Sequence, residues 1–99
     1  MIKHVVLFKL KTFDTEGQKQ AKEQEIKDAL LALKDKIDVL RSIEVGINAN
    51  PNEEYNIALT TSFDNFDDLE TYAKHPDHQA VIPLIREVLE SRACSDYEV

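Results

Sequence analysis

The first strand is apolar on both of its sides, and this limits the possible folds more than any other feature of the chain. Ile2 to Leu10 is rich in Val, Ile, Leu and Phe. By the two-residue period of extended chain, Ile2, His4, Val6, Phe8 and Leu10 share one face, while Val5 and Leu7 share the other with Lys3 and Lys9. A strand with one solvated face alternates apolar and polar residues. This one does not, so both of its faces are expected to be covered.

The remaining periodicities supply the layers. Thr12 to Asp14 reads as a turn, and Thr15 with Gln18 has the spacing of a capping box. Beyond it Ile26, Ala29, Leu30, Leu33, Ile37 and Leu40 recur at three- and four-residue spacing, which predicts a long helix ending near Asp38. Alternation returns over Arg41 to Asn48 and again over Tyr55 to Phe63, with the turn signal Asn50-Pro51-Asn52 between them, so these stretches are expected to form a hairpin. Asp64-Asn65 opens a short helix, Phe66 to about Ala73, with apolar contacts from Phe66, Leu69, Ala73 and Tyr72. Pro76 pushes His75 out of helical geometry and sets a break there. A second helical piece follows from about Asp77 to Glu90, with Val81, Leu84, Ile85, Val88 and Leu89 as its stripe and Pro83 either near its start or at a kink. Arg92 to Val99 is the last strand.

The order βαββαβ defines an α+β, ferredoxin-like fold: a four-stranded antiparallel sheet with its helices on one face, in a single domain over residues 1–99. Such a fold covers only one side of the first strand. The other side calls for a second subunit, so a face-to-face homodimer closing two sheets into an α/β barrel is expected.

Charge narrows the choice of partner. A formal net charge of −7, with basic and acidic residues interleaved, argues against nucleic acid and against an anionic membrane surface. No apolar run approaches a membrane span, and Met1 to Lys11 lacks the order of a signal peptide. The lone Cys94 cannot form an internal disulfide and is expected to be a small core residue in a reducing compartment, so the cytoplasm is the expected location.

The residues with chemistry near neutral pH gather in Tyr72-Ala73-Lys74-His75-Pro76-Asp77-His78. Imidazole titrates in the physiological range and a phenol can donate to a developing oxyanion. His78 is therefore a candidate general base and Tyr72 its oxyanion donor; the competing roles are starting the second helical piece and simple packing. His75 is a candidate ligand contact, against a role in bonding a free carbonyl or capping a helix end. His4, mid-strand among apolar residues, is a candidate ligand contact if it meets His78 in space, and otherwise a satisfied core residue. His75 and His78 alone are too few donors for a transition metal, with Asp77 the one nearby carboxylate, so no metal is expected. Arg41 and Arg92, near strand ends, are candidates to pair with a carboxylate ligand or with surface acids.

Four segments, taken in order, resemble one family: Ile2 to Leu10; Ser42-Ile43-Glu44-Val45-Gly46 with Tyr55-Asn56-Ile57-Ala58-Leu59; Asp67 to Tyr72 with His75-Pro76-Asp77-His78; and Arg92 to Tyr97. The family is the stress-responsive A/B barrel domain, or Dabb, within the dimeric α/β-barrel superfamily. The resemblance implies the ferredoxin-like fold and the homodimer. One branch of it is a plant polyketide cyclase in which a histidine base and an assisting tyrosine drive an aldol closure without a cofactor. That pair corresponds to His78 and Tyr72, and a further pocket histidine to His4. A second strand histidine of that enzyme corresponds to Ile57, and its large first-helix aromatics have no counterpart here. The resemblance thus implies a small stress-response-type protein with a pocket for a carbonyl or aromatic compound and no cofactor. Its alternatives are a cyclase-like enzyme, a non-catalytic protective oligomer and, more remotely, a cofactor-free monooxygenase. Some relatives hold a magnesium ion loosely at the subunit interface.

Overall fold

The first three strands and the helices form around apolar periods, and the last strand forms by pairing with the first. The computed structural model describes all residues from Met1 to Val99. The elements are β1 (Ile2–Leu10), α1 (Glu16–Leu31), a 3-10 turn (Ala32–Asp35), β2 (Ser42–Ile47), β3 (Ile57–Phe63), α2 (Phe66–Lys74), α3 (Pro76–Arg86) and β4 (Leu89–Glu98). The sheet order is β2-β3-β1-β4 with every neighbouring pair antiparallel. This is the ferredoxin-like α+β fold expected from the sequence.

The doubly apolar β1 lies at the centre of the sheet. Its Val6, Phe8 and Leu10 join Ile26 and Leu30 of α1, Val45 of β2, Ile57, Leu59 and Phe63 of β3, Tyr72 of α2 and Ile85 of α3 in one core. On the opposite face, register aligns Gly46, Ala58, Leu7 and Ala93 in one row across all four strands. Val5 lies between Thr60 and Ser95 in the next row. No element of the chain packs over these rows. The helix layer also stops short of β4, whose residues Arg92 to Glu98 are all exposed.

Several boundaries differ from the periodicity, each for a local reason. The helix runs out at Leu31 instead of near Asp38: the backbone tightens to a 3-10 turn, and Leu33, Ile37 and Leu40 stay buried from that turn and the loop after it. Tyr55 and Asn56 fall outside β3. Asn56 serves instead as a junction, its side chain accepting from Leu10 N at 2.8 Å and donating to Glu23 Oε2 at 3.1 Å. Leu89 begins β4 and does not end α3, because pairing with Leu10 of β1 takes it, and Lys11 N closes the corner on Val88 O at 2.7 Å. Pro83 lies in the interior of α3. Phe66, expected to pack, is 57 % exposed. Cys94, expected in the core, is exposed because no helix covers the edge strand β4.

Candidate functional site

Two helix boundaries set the positions of the aromatic residues. Asn65 caps α2, accepting from Asp68 N at 2.8 Å, and Asp67 and Asp68 complement the positive end of the helix. Tyr72 on α2 is thereby turned into the core, where it is only 2 % exposed, with its ring 5.1 Å from that of Phe63. The chain then breaks at His75 (φ −62°, ψ 137°), the extended geometry that a following proline imposes. His75 Nδ1 accepts from Asp77 N at 3.1 Å and so caps the start of α3, and Pro76 takes the first helical position. One turn into α3, His78 folds back over Tyr72 with ring centroids 4.5 Å apart.

Hydrogen bonding fixes how these groups can act. The Ala73 carbonyl, near the end of α2, lies 3.1 Å from His78 Nδ1 and also accepts from Gln79 Nε2 at 2.6 Å. A carbonyl only accepts, so Nδ1 carries the proton and Nε2 is left as the basic nitrogen of the neutral ring. Burial depresses the His78 pKa below its usual value; the positive ends of His4, Arg92 and His75 push the same way, against the opposing bond to Ala73. Burial also pushes the Tyr72 phenol up to about 12, so it remains a donor at neutral pH. Its hydroxyl is buried and has no hydrogen-bond partner. Leaving such a group unpaired costs about 1–3 kcal/mol.

Between sheet and helices lies a cavity of ≈ 290 Å³ whose wall includes Tyr72, His78 and His4, and nine of its 13 lining residues are hydrophobic. Val6 and Phe8 of β1 and Ile82 of α3 supply much of the apolar surface. His4 enters from β1 with its side chain 15 % exposed and is anchored by Asp96, its cross-strand neighbour in β4. The carboxylate holds the proton on His4 Nδ1 and leaves Nε2 unoccupied. His75 is not in this wall; its ring is committed to the start of α3. The structure thus brings three of the four candidate residues to one cavity and uses the fourth as a helix cap.

The sequence reading passed over Arg86 and Glu23. Arg86 lines the cavity, and the signal was its spacing: His78, Ile82 and Arg86 are four residues apart along one side of α3. Glu23 lies on the buried stripe of α1, three residues before Ile26, satisfied by Asn56. A second, polar groove of ≈ 370 Å³ runs past Glu23, with three hydrophobic residues among its 14. Ligand sites for organic molecules are mostly apolar with a few placed polar groups, which favours the smaller cavity. No group of three or more His, Cys, Asp or Glu side chains is arranged to hold a metal.

Proton linkage at His78 has a testable sign. A histidine whose folded pKa is depressed contributes stability that is present above pH 6.5, its unfolded value, and lost as pH falls through the folded value. Melting of the wild type is therefore expected to drop with pH below about 6.5, and His78→Gln to flatten that slope. Parallel pH profiles would assign the slope to other groups.

A ferredoxin-like α+β domain with a histidine–tyrosine pair in an apolar cavity between its layers is the class that fold and site define. The chain belongs to the stress-responsive A/B barrel domain family, whose description matches residues 2–99. An uncharacterized protein of Streptomyces coelicolor is 35% identical over 99 residues, 99% of either chain. A solved structure from Bacteroides fragilis, described as a dimeric protein of unknown function with a ferredoxin-like fold, is 49% identical with a TM-score of 0.93. The match covers 99% of this chain and 95% of that one. A hydroxynitrile lyase of Passiflora edulis shares the fold, with a TM-score of 0.80 at 13% identity, over 97% of this chain and 90% of that one. No helix is long and apolar enough to cross a membrane.

Proposed function

We propose that this protein works as a homodimer that binds a small, partly apolar carbonyl or aromatic compound in the cavity beside Tyr72, His78 and His4. The observation that carries the reading is the Tyr72 hydroxyl, a buried donor with no partner set against a histidine held neutral. A native structure tolerates such an orphan where a ligand oxygen completes it. The chemistry this pair supports best is cofactor-independent proton transfer. His78 Nε2 takes a proton from the carbon next to the carbonyl, and the electron pair moves onto the carbonyl oxygen. Tyr72 donates to that oxyanion. A cationic neighbour such as Arg92 makes the imidazolium so formed a ready acid. It gives the proton to the enolate oxygen to complete an enolisation; in an aldol-type closure the enolate carbon first attacks a second carbonyl of the same compound, and the imidazolium protonates the alkoxide so formed.

The uncovered sheet face supports the dimer. Leu7 stands in a row of small residues, Gly46, Ala58 and Ala93, and a side chain built on Gly46 would meet nothing within 4 Å inside the chain. Tyr97, 46% exposed, adds apolar surface beside Lys3 on the same face. The Bacteroides fragilis relative being dimeric supports the same arrangement here. We place the protein in the cytoplasm, where a single exposed thiol stays reduced.

Melting with a panel of aryl ketones tests the binding reading. A compound that fits is expected to stabilise the wild type by about 2.7 kcal/mol at 100 times its Kd, and His78→Ala to abolish any exchange of its α-protons for deuterium. A melting temperature that ignores every compound yet rises with protein concentration would point instead to a non-catalytic protective oligomer.

A further inference from the structure

Two of the three arginines stand at the cavity without an acid to pair with. In a chain of 19 acidic against 12 basic residues, carboxylates are plentiful. Arg41 has found one, donating to Asp64 from Nε at 3.2 Å and from Nη2 at 2.8 Å. Lys9, Lys19, Lys22 and Lys74 are likewise paired, while the other five lysines are not, so an unpaired cation matters here only where it faces the cavity. Arg86, the last residue of α3, and Arg92, in β4, both line the apolar cavity. Neither enters an ion pair, and Arg92 donates only to the Cys94 sulfur, at 3.5 Å. Arg92 is also close enough to His78 to disfavour its protonation.

The placement of the two arginines distinguishes them from the unpaired lysines. Arg86 follows His78 by eight residues on one side of α3, about 12 Å along the helix axis, with Ile82 between them. Arg92 faces the same side of the sheet from its position opposite Phe8. A ligand lying across Phe8 and Ile82 would meet the histidine–tyrosine pair at one end and two guanidinium groups at the other. Guanidinium is the side chain best matched to a carboxylate.

Resting on the cavity reading above, we propose that the compound bound here is an apolar keto acid or aryl-keto acid. Its terminal carboxylate is held by Arg86 and Arg92, and its carbonyl is presented to Tyr72 and His78. The separation between the two ends fits a short chain or a single ring.

The test is an NMR titration of the full chain with 4-oxo-4-phenylbutanoate and with its neutral amide, at low salt and pH 7. The acid is expected to bind at least about tenfold more tightly, as one charge-assisted contact requires, and to lose that advantage as salt is added. Arg86→Gln with Arg92→Gln should erase the preference, so that acid and amide bind alike, whereas Arg41→Gln should preserve it. Equal affinity of the two probes for the wild type, or a preference that survives in the double variant, would overturn the arginine assignment and leave the cavity reading standing. Failure of both probes to perturb the cavity residues would overturn the two together. The wild-type comparison needs no variant to fold.

Discussion

Replacing Tyr72 with phenylalanine is expected to stabilise the fold, and replacing it with alanine to cost about 3–5 kcal/mol. The alanine loss follows from packing: the ring is buried against Phe63 and His78. The phenylalanine gain follows from the hydroxyl, which is buried and makes no hydrogen bond. Removing it lifts a penalty of about 1–3 kcal/mol, less any packing adjustment. The same substitution is expected to weaken an enolate-like ligand by about tenfold or more, since a donor to a charged oxygen is worth more than a neutral contact. Denaturant titration and ligand melting read the two effects separately. A Tyr72→Phe variant that is less stable than wild type, or that binds ligand equally well, would show that the hydroxyl has no ligand to serve.

Leu7→Glu is expected to convert a dimer into a monomer. Leu7 is the one large side chain in its row, and a two-fold interface would bury two copies of the substituted residue in facing positions. An unpaired buried charge costs several kcal/mol, and here two like charges would meet. The dissociation constant is expected to rise by about a hundredfold or more, read by sedimentation at micromolar concentration, with the melting temperature losing its dependence on concentration. The His78–Tyr72 contact lies on the other face of the sheet, so its chemistry should outlast the dimer. A Leu7→Glu variant that remains dimeric would move the interface elsewhere.

What the sequence conveyed, and what it hid, separates along physical lines. The helix-side face of β1 was legible because a two-residue period and apolar identity say the same thing. The break at His75 was legible because a proline restricts its predecessor whatever the tertiary context. Helix ends were not: Leu33, Ile37 and Leu40 keep the helical spacing and are buried, although the backbone leaves the α-helix at Leu31. Leu89 fits a helical stripe equally well and went to the sheet because β1 offered it a partner. Exposure at an edge was hidden too. Cys94 has core chemistry, and only the lateral reach of the helix layer decides that nothing covers it. At the site, His78, Tyr72 and His4 were marked by residue type. Arg86 escaped because an arginine at a helix end reads as ordinary surface, and its lack of an acid partner is a fact of three dimensions.

The most direct measurement is a map of amide shifts as propiophenone, a neutral aryl ketone, is titrated into the protein. Binding in the cavity is expected to move Tyr72, His78, Val81, Ile82 and Ile85, together with His4 across the sheet, and to leave the polar groove from Lys11 to Glu16 still. Shifts confined to that groove, or to the outer rows of the sheet around Leu7 and Ala93, would contradict a ligand site built on His78 and Tyr72.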